Sequence, residues 1–128
     1  MATNPVTRSP ELKLETEKKN STTTVWARGR IVIASAGALE STLRDLIVEG
    51  GRVVLDLANV DYVDSAGLGV LVTVYVHARR TKCHLQIANP KERIRDLFKR
   101  SGLASVFEGD SFDVLWEAWS QDANKAGD

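Results

Sequence analysis

A single cysteine, Cys83, stands in a chain of 128 residues. An internal disulfide is therefore impossible, and a zinc centre built on cysteine pairs is excluded with it. Net charge is absent too: 17 Lys and Arg against 17 Asp and Glu give a formal charge of zero. A domain that grips polyanions is normally clearly basic, so nucleic acid is not an expected partner. No run of about 18 apolar residues occurs, and the polar opening MATNPVTRSPELKLETEKK has no apolar signal core. The chain accordingly reads as cytoplasmic, with no membrane partner. Repeats, low-complexity tracts and internal linkers are also missing. What is present is 43% hydrophobic and 27% charged residues, the composition of a globular domain. A chain this long can bury roughly two-thirds of its unfolded surface without metal or disulfide support. We expect one domain over residues 11–120, between a polar lead-in at 1–10 that contains Pro5 and Pro10 and a loose tail at 121–128.

Two periodicities alternate along that domain. Leu12 to Thr16 alternates apolar and polar residues, Lys18-Lys19-Asn20-Ser21 makes a polar turn, and Thr24 to Ile33 is a second extended run, which together predict a hairpin. Ser35 then suits the cap of a helix carrying Leu39, Leu43, Leu46 and Ile47, with Gly50-Gly51 ending it. Arg52 to Leu57 is nearly continuous in apolar residues, as in a buried strand, and a loop is expected from Ala58 to Ser65. Ala66 to Arg80 is apolar nearly all round, which predicts a largely covered helix. Leu85 to Ala88 is the next strand, and Pro90 opens a helix with Ile94, Leu97 and Phe98 inward and Gly102 closing it. A last short strand is expected at Ala104–Phe107, and a last helix at Ser111–Trp119 with Leu115, Trp116 and Trp119 inward. Strands alternating with helices over short connections imply an α/β fold: a mixed, mostly parallel sheet of four to five strands with about four helices.

The segment Asp61-Tyr62-Val63-Asp64-Ser65-Ala66-Gly67-Leu68-Gly69 lies where a buried strand gives way to a helix. Ser65 falls at or next to the helix N-cap, so its hydroxyl can accept from the free N–H groups of the first turn. Read alone, that is its whole role. A phosphate on Ser65 would also be tolerated, because the same amides and the positive end of the helix dipole favour an anion. It would add about two negative charges beside Asp61 and Asp64, which make an acidic rim. Gly67 and Gly69 leave the first turn bare, so the backbone of another protein could approach closely.

Catalytic patterns are wanting. Ser65 is not in a Gly-x-Ser-x-Gly elbow, and neither His77 nor His84 has an orienting acid nearby in sequence, so a serine hydrolase is not favoured. Gly67-Leu68-Gly69 lacks the third glycine and the later acid of a dinucleotide loop, and no phosphate-loop lysine motif occurs. The histidines have no further ligands at metal-binding spacing, so neither metal nor cofactor is expected. Cys83 reads as a small buried residue. The cations of Arg79-Arg80-Thr81-Lys82 and of residues 91–100 read as solvated helix ends and faces.

Asp64-Ser65-Ala66-Gly67-Leu68-Gly69, following a valine-rich Leu-Asp-Leu strand, closely resembles the signature of STAS-domain proteins, specifically bacterial anti-sigma factor antagonists. The likeness runs from about Trp26 to Glu108 and takes in Gly29, Ile94-Arg95-Asp96-Leu97-Phe98 and Ser101-Gly102-Leu103. It implies a non-enzymatic switch in transcription regulation. Unphosphorylated, such a protein binds an anti-sigma factor that is itself a serine kinase, and so frees the sigma factor. Phosphorylation of the loop serine, here Ser65, breaks that complex, and a serine phosphatase resets it. The implied partner-binding residues are Asp64, Ser65, Ala66, Gly67, Leu68 and Gly69, with Val72 and Tyr75 further along the helix. Where many members carry Gly-Glu-Leu-Asp, this chain has Gly29-Arg30-Ile31-Val32, so Val32 takes the place of an acid at the partner-binding loop and Arg30 reverses a charge. The rival reading within the family is a STAS subunit of a membrane-lipid ABC transport complex, acting as a structural interaction module; Ser rather than Thr at position 65 leans against it. A monomer is the default expectation.

Overall fold

Two glycine-free residues, Asn20 and Ser21, turn the chain between its two longest antiparallel strands, and Asn20 takes the left-handed conformation (φ 57°) that asparagine tolerates. The computed structural model describes residues 4–5 and 9–104. Its element order is β1 (Asn4–Pro5), β2 (Leu12–Lys19), β3 (Thr22–Ile31), α1 (Ile33–Leu46), β4 (Arg52–Val63), α2 (Ser65–Thr81), β5 (His84–Ala88) and α3 (Glu92–Arg100). The strands form one sheet in the order β1-β2-β3-β4-β5. The first two pairings are antiparallel, while β3 with β4 and β4 with β5 are parallel.

Both parallel crossovers, through α1 and through α2, step in the same direction across the sheet. A right-handed crossover then puts both helices on the same face, where they pack against each other. That face is the core: Leu12, Leu14, Val25, Ala27, Val53, Leu55, Leu57, Leu85 and Ile87 alternate inward from the strands to meet Leu39, Leu43, Leu71, Val74 and Ala78. Helix α3 adds Ile94 and Phe98 to the same cluster. Burying a side chain such as Leu39 or Leu71 is worth roughly 1.5–3 kcal/mol.

The α/β class and the mixed sheet agree with the sequence pattern, and several boundaries differ for physical reasons. Ser35 does not cap α1: Val32 is the N-cap, and Ser35 lies one turn inside, its Oγ accepting from the Val32 N–H at 3.0 Å and donating to the Arg30 carbonyl at 2.7 Å. Gly50-Gly51 does not end α1, which stops at Leu46; the glycines instead shape the turn into β4, with Gly50 at φ 78°. The loop expected from Ala58 is strand as far as Val63, because β3 extends alongside and Val60 and Val63 bury their side chains. Pro90 precedes the N-cap Lys91 rather than opening α3 itself. Gly102 does close that helix, at φ 74°, with the Leu103 N–H bonded to Phe98 O at 2.8 Å and the Gly102 N–H to Lys99 O at 3.1 Å. The expected strand after Ala104 and the helix at Ser111–Trp119 lie outside the described residues.

Candidate functional site

Strands β3 and β4 end side by side. Ile31 pairs with Val63, and the Asp64 N–H donates to Ile31 O at 3.1 Å, carrying the ladder one residue further. Both strands then give way to helices, so the starts of α1 and α2 lie together beyond the C-terminal ends of these two inner strands.

Asp64 joins them. Its Oδ1 accepts from the Gly67 N–H at 2.8 Å, which caps α2, and its Oδ2 accepts from the Ile33 N–H at 3.0 Å, the first residue of α1. Hydrogen bonding to the charged form lowers a carboxyl pKa. The Gly67 N–H is the main cause of a lowered value for Asp64, with the Ile33 and Ala66 N–H groups and the nearby Arg30 charge adding to it against some desolvation. The cap of α2 is therefore Asp64 and not Ser65. Ser65, the first residue of the helix, is exposed.

The two glycines that follow have different reasons to be bare. A Cβ on Gly67 would stand 2.1 Å from the carbonyl oxygen of Ile31, so this buried glycine lets α2 lie against the end of β3. A Cβ on Gly69 would meet nothing within 4 Å, and that glycine faces outward. Close approach by a partner can thus use Gly69, whereas Gly67 serves the interior. Ala66, Leu68 and Val72 are half-buried along the same helix. Tyr75 and Val32 are 6% and 8% exposed and offer an incoming surface very little.

The acidic rim expected from the sequence is largely neutralised. Asp61 is ion-paired with Lys91 at the start of α3, and that lysine is also the first cause of its lowered pKa. Asp64 is committed to backbone N–H groups. What the sequence did not bring together is Arg30 with two exposed apolar residues, Ile33 and Tyr62, where β3 and β4 end. Ile33 is 78% exposed and Tyr62 is 44% exposed. The Arg30 guanidinium lies over the Tyr62 ring, 5.5 Å from its centre, and reaches Glu11 at 3.7 Å. A cue for Ile33 was available: Ile31-Val32-Ile33 puts three apolar residues in a row where an alternating strand end can bury only some of them.

The two histidines lie away from Ser65. His77 is twelve residues on in the same helix, roughly 18 Å along its axis. His84 pairs with Arg52 at the opposite end of the sheet. Neither imidazole is in place as a base for Ser65. Cys83 is buried, and burial raises its thiol pKa, so it remains a poor nucleophile. Among the described residues, no group of three or more His, Cys, Asp or Glu side chains is arranged to hold a metal ion, and no helix is long and apolar enough to cross a membrane. Gly29 completes the local design: it adopts φ 118° between two irregularities in the β3–β4 register, and a Cβ there would stand 2.3 Å from Glu11 O.

Comparison with known proteins adds to this geometry. A sequence profile of the STAS domain matches residues 13–118. BtrV of Bordetella bronchiseptica, with a proposed role as an anti-sigma factor antagonist, is 34% identical over 97 residues, covering 75% of this chain and 84% of the relative. The anti-sigma-B factor antagonist of Bacillus subtilis is 32% identical over 80 residues, 62% of this chain and 73% of its own. Among solved structures, an anti-sigma factor antagonist from Mycobacterium paratuberculosis superimposes with a TM-score of 0.62 over 85% of this chain and 96% of that one; at 23% identity the likeness is one of fold.

Proposed function

The chain belongs to the STAS-domain family, and on that footing we propose that it is an anti-sigma factor antagonist that binds a serine-kinase anti-sigma factor while Ser65 is unmodified and is released when Ser65 is phosphorylated. The observation that carries this reading is the division of labour at the start of α2. Asp64 caps the helix, so the exposed Ser65 hydroxyl is left available. In the reaction the Ser65 oxygen forms a bond to the γ-phosphorus of ATP held by the kinase. The bond from that phosphorus to the bridging oxygen breaks, ADP leaves, and the hydroxyl proton passes to a base of the kinase. The Ala66 and Gly67 N–H groups stay with Asp64, and the positive end of the α2 dipole favours the resulting phosphate, so the modification adds charge without disturbing the fold. A serine phosphatase would restore the binding state. The protein itself acts by binding and performs no catalysis, in the cytoplasm with its kinase.

Contact with the kinase would centre on Ser65, Gly69 and the half-buried Ala66, Leu68 and Val72, with Asp64 placing the loop; the exposed Ile33 and Tyr62 extend that face. Gly67, Val32 and Tyr75 support it from within. The test is intact-mass spectrometry of the protein and its Ser65→Ala variant after incubation with ATP and a serine-kinase anti-sigma factor from the same genome. We expect a gain of about 80 Da, one phosphate, in the unmodified sequence alone, together with loss of the complex. Binding without any mass gain would make the module a constitutive partner. Neither binding nor reaction would bring the lipid-transport subunit forward.

A further inference from the structure

We infer that Arg30 is the cation that holds a phosphate placed on Ser65, so that the modified state is an internal ion pair at the end of β3 as well as an added charge. The inference rests on the reading of Ser65 as phosphoacceptor and names the group that regulates that site.

Arg30 and Tyr62 are register partners on adjacent parallel strands, each close to the residue where its strand ends. The chain from Tyr62 reaches Ser65 in three residues, and the Asp64 carboxylate between them is bonded to the first residue of α1, three residues after Arg30. The Tyr62 ring lies under the guanidinium, which restricts the cation to these strand ends without consuming any of its N–H donors. Its acidic neighbour, Glu11, is at 3.7 Å, longer than a hydrogen bond, and both side chains are well exposed, at 55% and 37%. A guanidinium offers a planar fork of donors that matches phosphate oxygens two at a time, and a phosphate near its dianionic form is a stronger acceptor than a single carboxylate.

Among the described residues, Arg93 acts on Asp61 from α3 and so lies with that carboxylate. Lys91 is paired with Asp61, and Asp64 is occupied by the Gly67 and Ile33 N–H groups. Arg30 also lowers the Asp64 pKa in a minor way, which shows that its charge is felt at the residue before Ser65. Phosphorylation would therefore draw Arg30 from Glu11 to the new phosphate.

The test uses the full chain with phosphoserine installed at position 65 during translation, so it does not depend on finding a kinase. The phosphorus-31 chemical shift, followed against pH, gives the second phosphate pKa, ordinarily about 6. Against the Arg30→Gln variant, the Arg30 protein should titrate lower by about half a unit or more, a fraction of the 1–3 units that a close opposite charge gives a carboxyl group. Glu11→Gln, which removes the competing acid, should lower it further. Equal phosphate pKa values in the Arg30 protein and Arg30→Gln, with both folded by circular dichroism, would overturn the inference and leave the helix N-terminus as the sole stabilising group. A kinase experiment that showed no mass gain would count against the proposed function and would leave this titration readable.

Discussion

At the start of α1 a serine is spent on the fold; at the start of α2, across the hydrogen bond from the Ile33 N–H to Asp64, a serine is kept out of it. Ser35 is fully buried, and its hydroxyl links the Val32 N–H to the Arg30 carbonyl. Ser65 is exposed, and the capping that its type so often performs is done by Asp64. The same residue type in nearly the same local position has two different tasks. The neighbour decides which: Val32 has no side-chain acceptor to offer its helix, whereas Asp64 has two oxygens. A hydroxyl that the fold does not need is one that a kinase can take without unfolding the protein.

The largest effect should come from the glycine that packs α2 against β3. In Gly67→Ala the new Cβ would meet a backbone carbonyl at 2.1 Å, and the helix start would have to move; we expect a loss of about 3 kcal/mol in urea denaturation. Gly69→Ala, with nothing within 4 Å, should be neutral or gain up to about 1 kcal/mol, as alanine does over glycine in a helix. Equal losses in the two variants would erase the distinction between them, and weakened kinase binding by a well-folded Gly69→Ala would assign that bare position to the partner.

The two serines should separate next. Ser35→Ala leaves the buried Val32 N–H without its side-chain acceptor, a cost of about 1–3 kcal/mol. Ser65→Ala should change stability by no more than about 0.5 kcal/mol, since it removes an exposed hydroxyl that does not cap the helix. A cost for Ser65→Ala as large as for Ser35→Ala, in paired thermal melts, would mean that Ser65 is part of the scaffold after all.

The smallest effect concerns the residue between them. The Asp64 pKa is lowered in the folded state, mainly by the Gly67 N–H. Its stabilising contribution is thus fully present above the ordinary carboxyl value and is lost as pH falls from about 4 through the lower folded value. Asp64→Asn keeps an acceptor oxygen and cannot titrate in this range. The melting temperature of the unmodified sequence should therefore approach that of Asp64→Asn as the solution is acidified. A gap that stayed constant from neutral pH to pH 3 would show that the carboxylate charge contributes nothing to either helix start. Asp61, lowered by Lys91, titrates in both proteins and cancels in the comparison.

Much of this molecule could be read along the chain. Periodicity of two and of 3.6 residues identified the hairpin, the buried β4 run and the helices α1 to α3, because those patterns are set by neighbours a few residues apart. The loop Asp64 to Gly69 carried its family likeness in six consecutive residues, and Ser65 was already marked as the group of interest. Tertiary structure alone decided the rest, for one physical reason: the deciding partners are far apart in sequence. The Ile33 N–H and the Asp64 carboxylate are 31 positions apart, and Lys91 and Asp61 are 30 apart. Those contacts turned an expected acidic rim into a compensated one, while the capping of α2 by Asp64 is a local bond to the Gly67 N–H three residues on. The close approach of Ile31 to Gly67 made one of two similar glycines a packing residue, and pairing with β3 drew six expected loop residues into β4. Local pattern therefore determined the elements and the position of the candidate switch, and long-range contacts determined which of its groups remain available to react or bind.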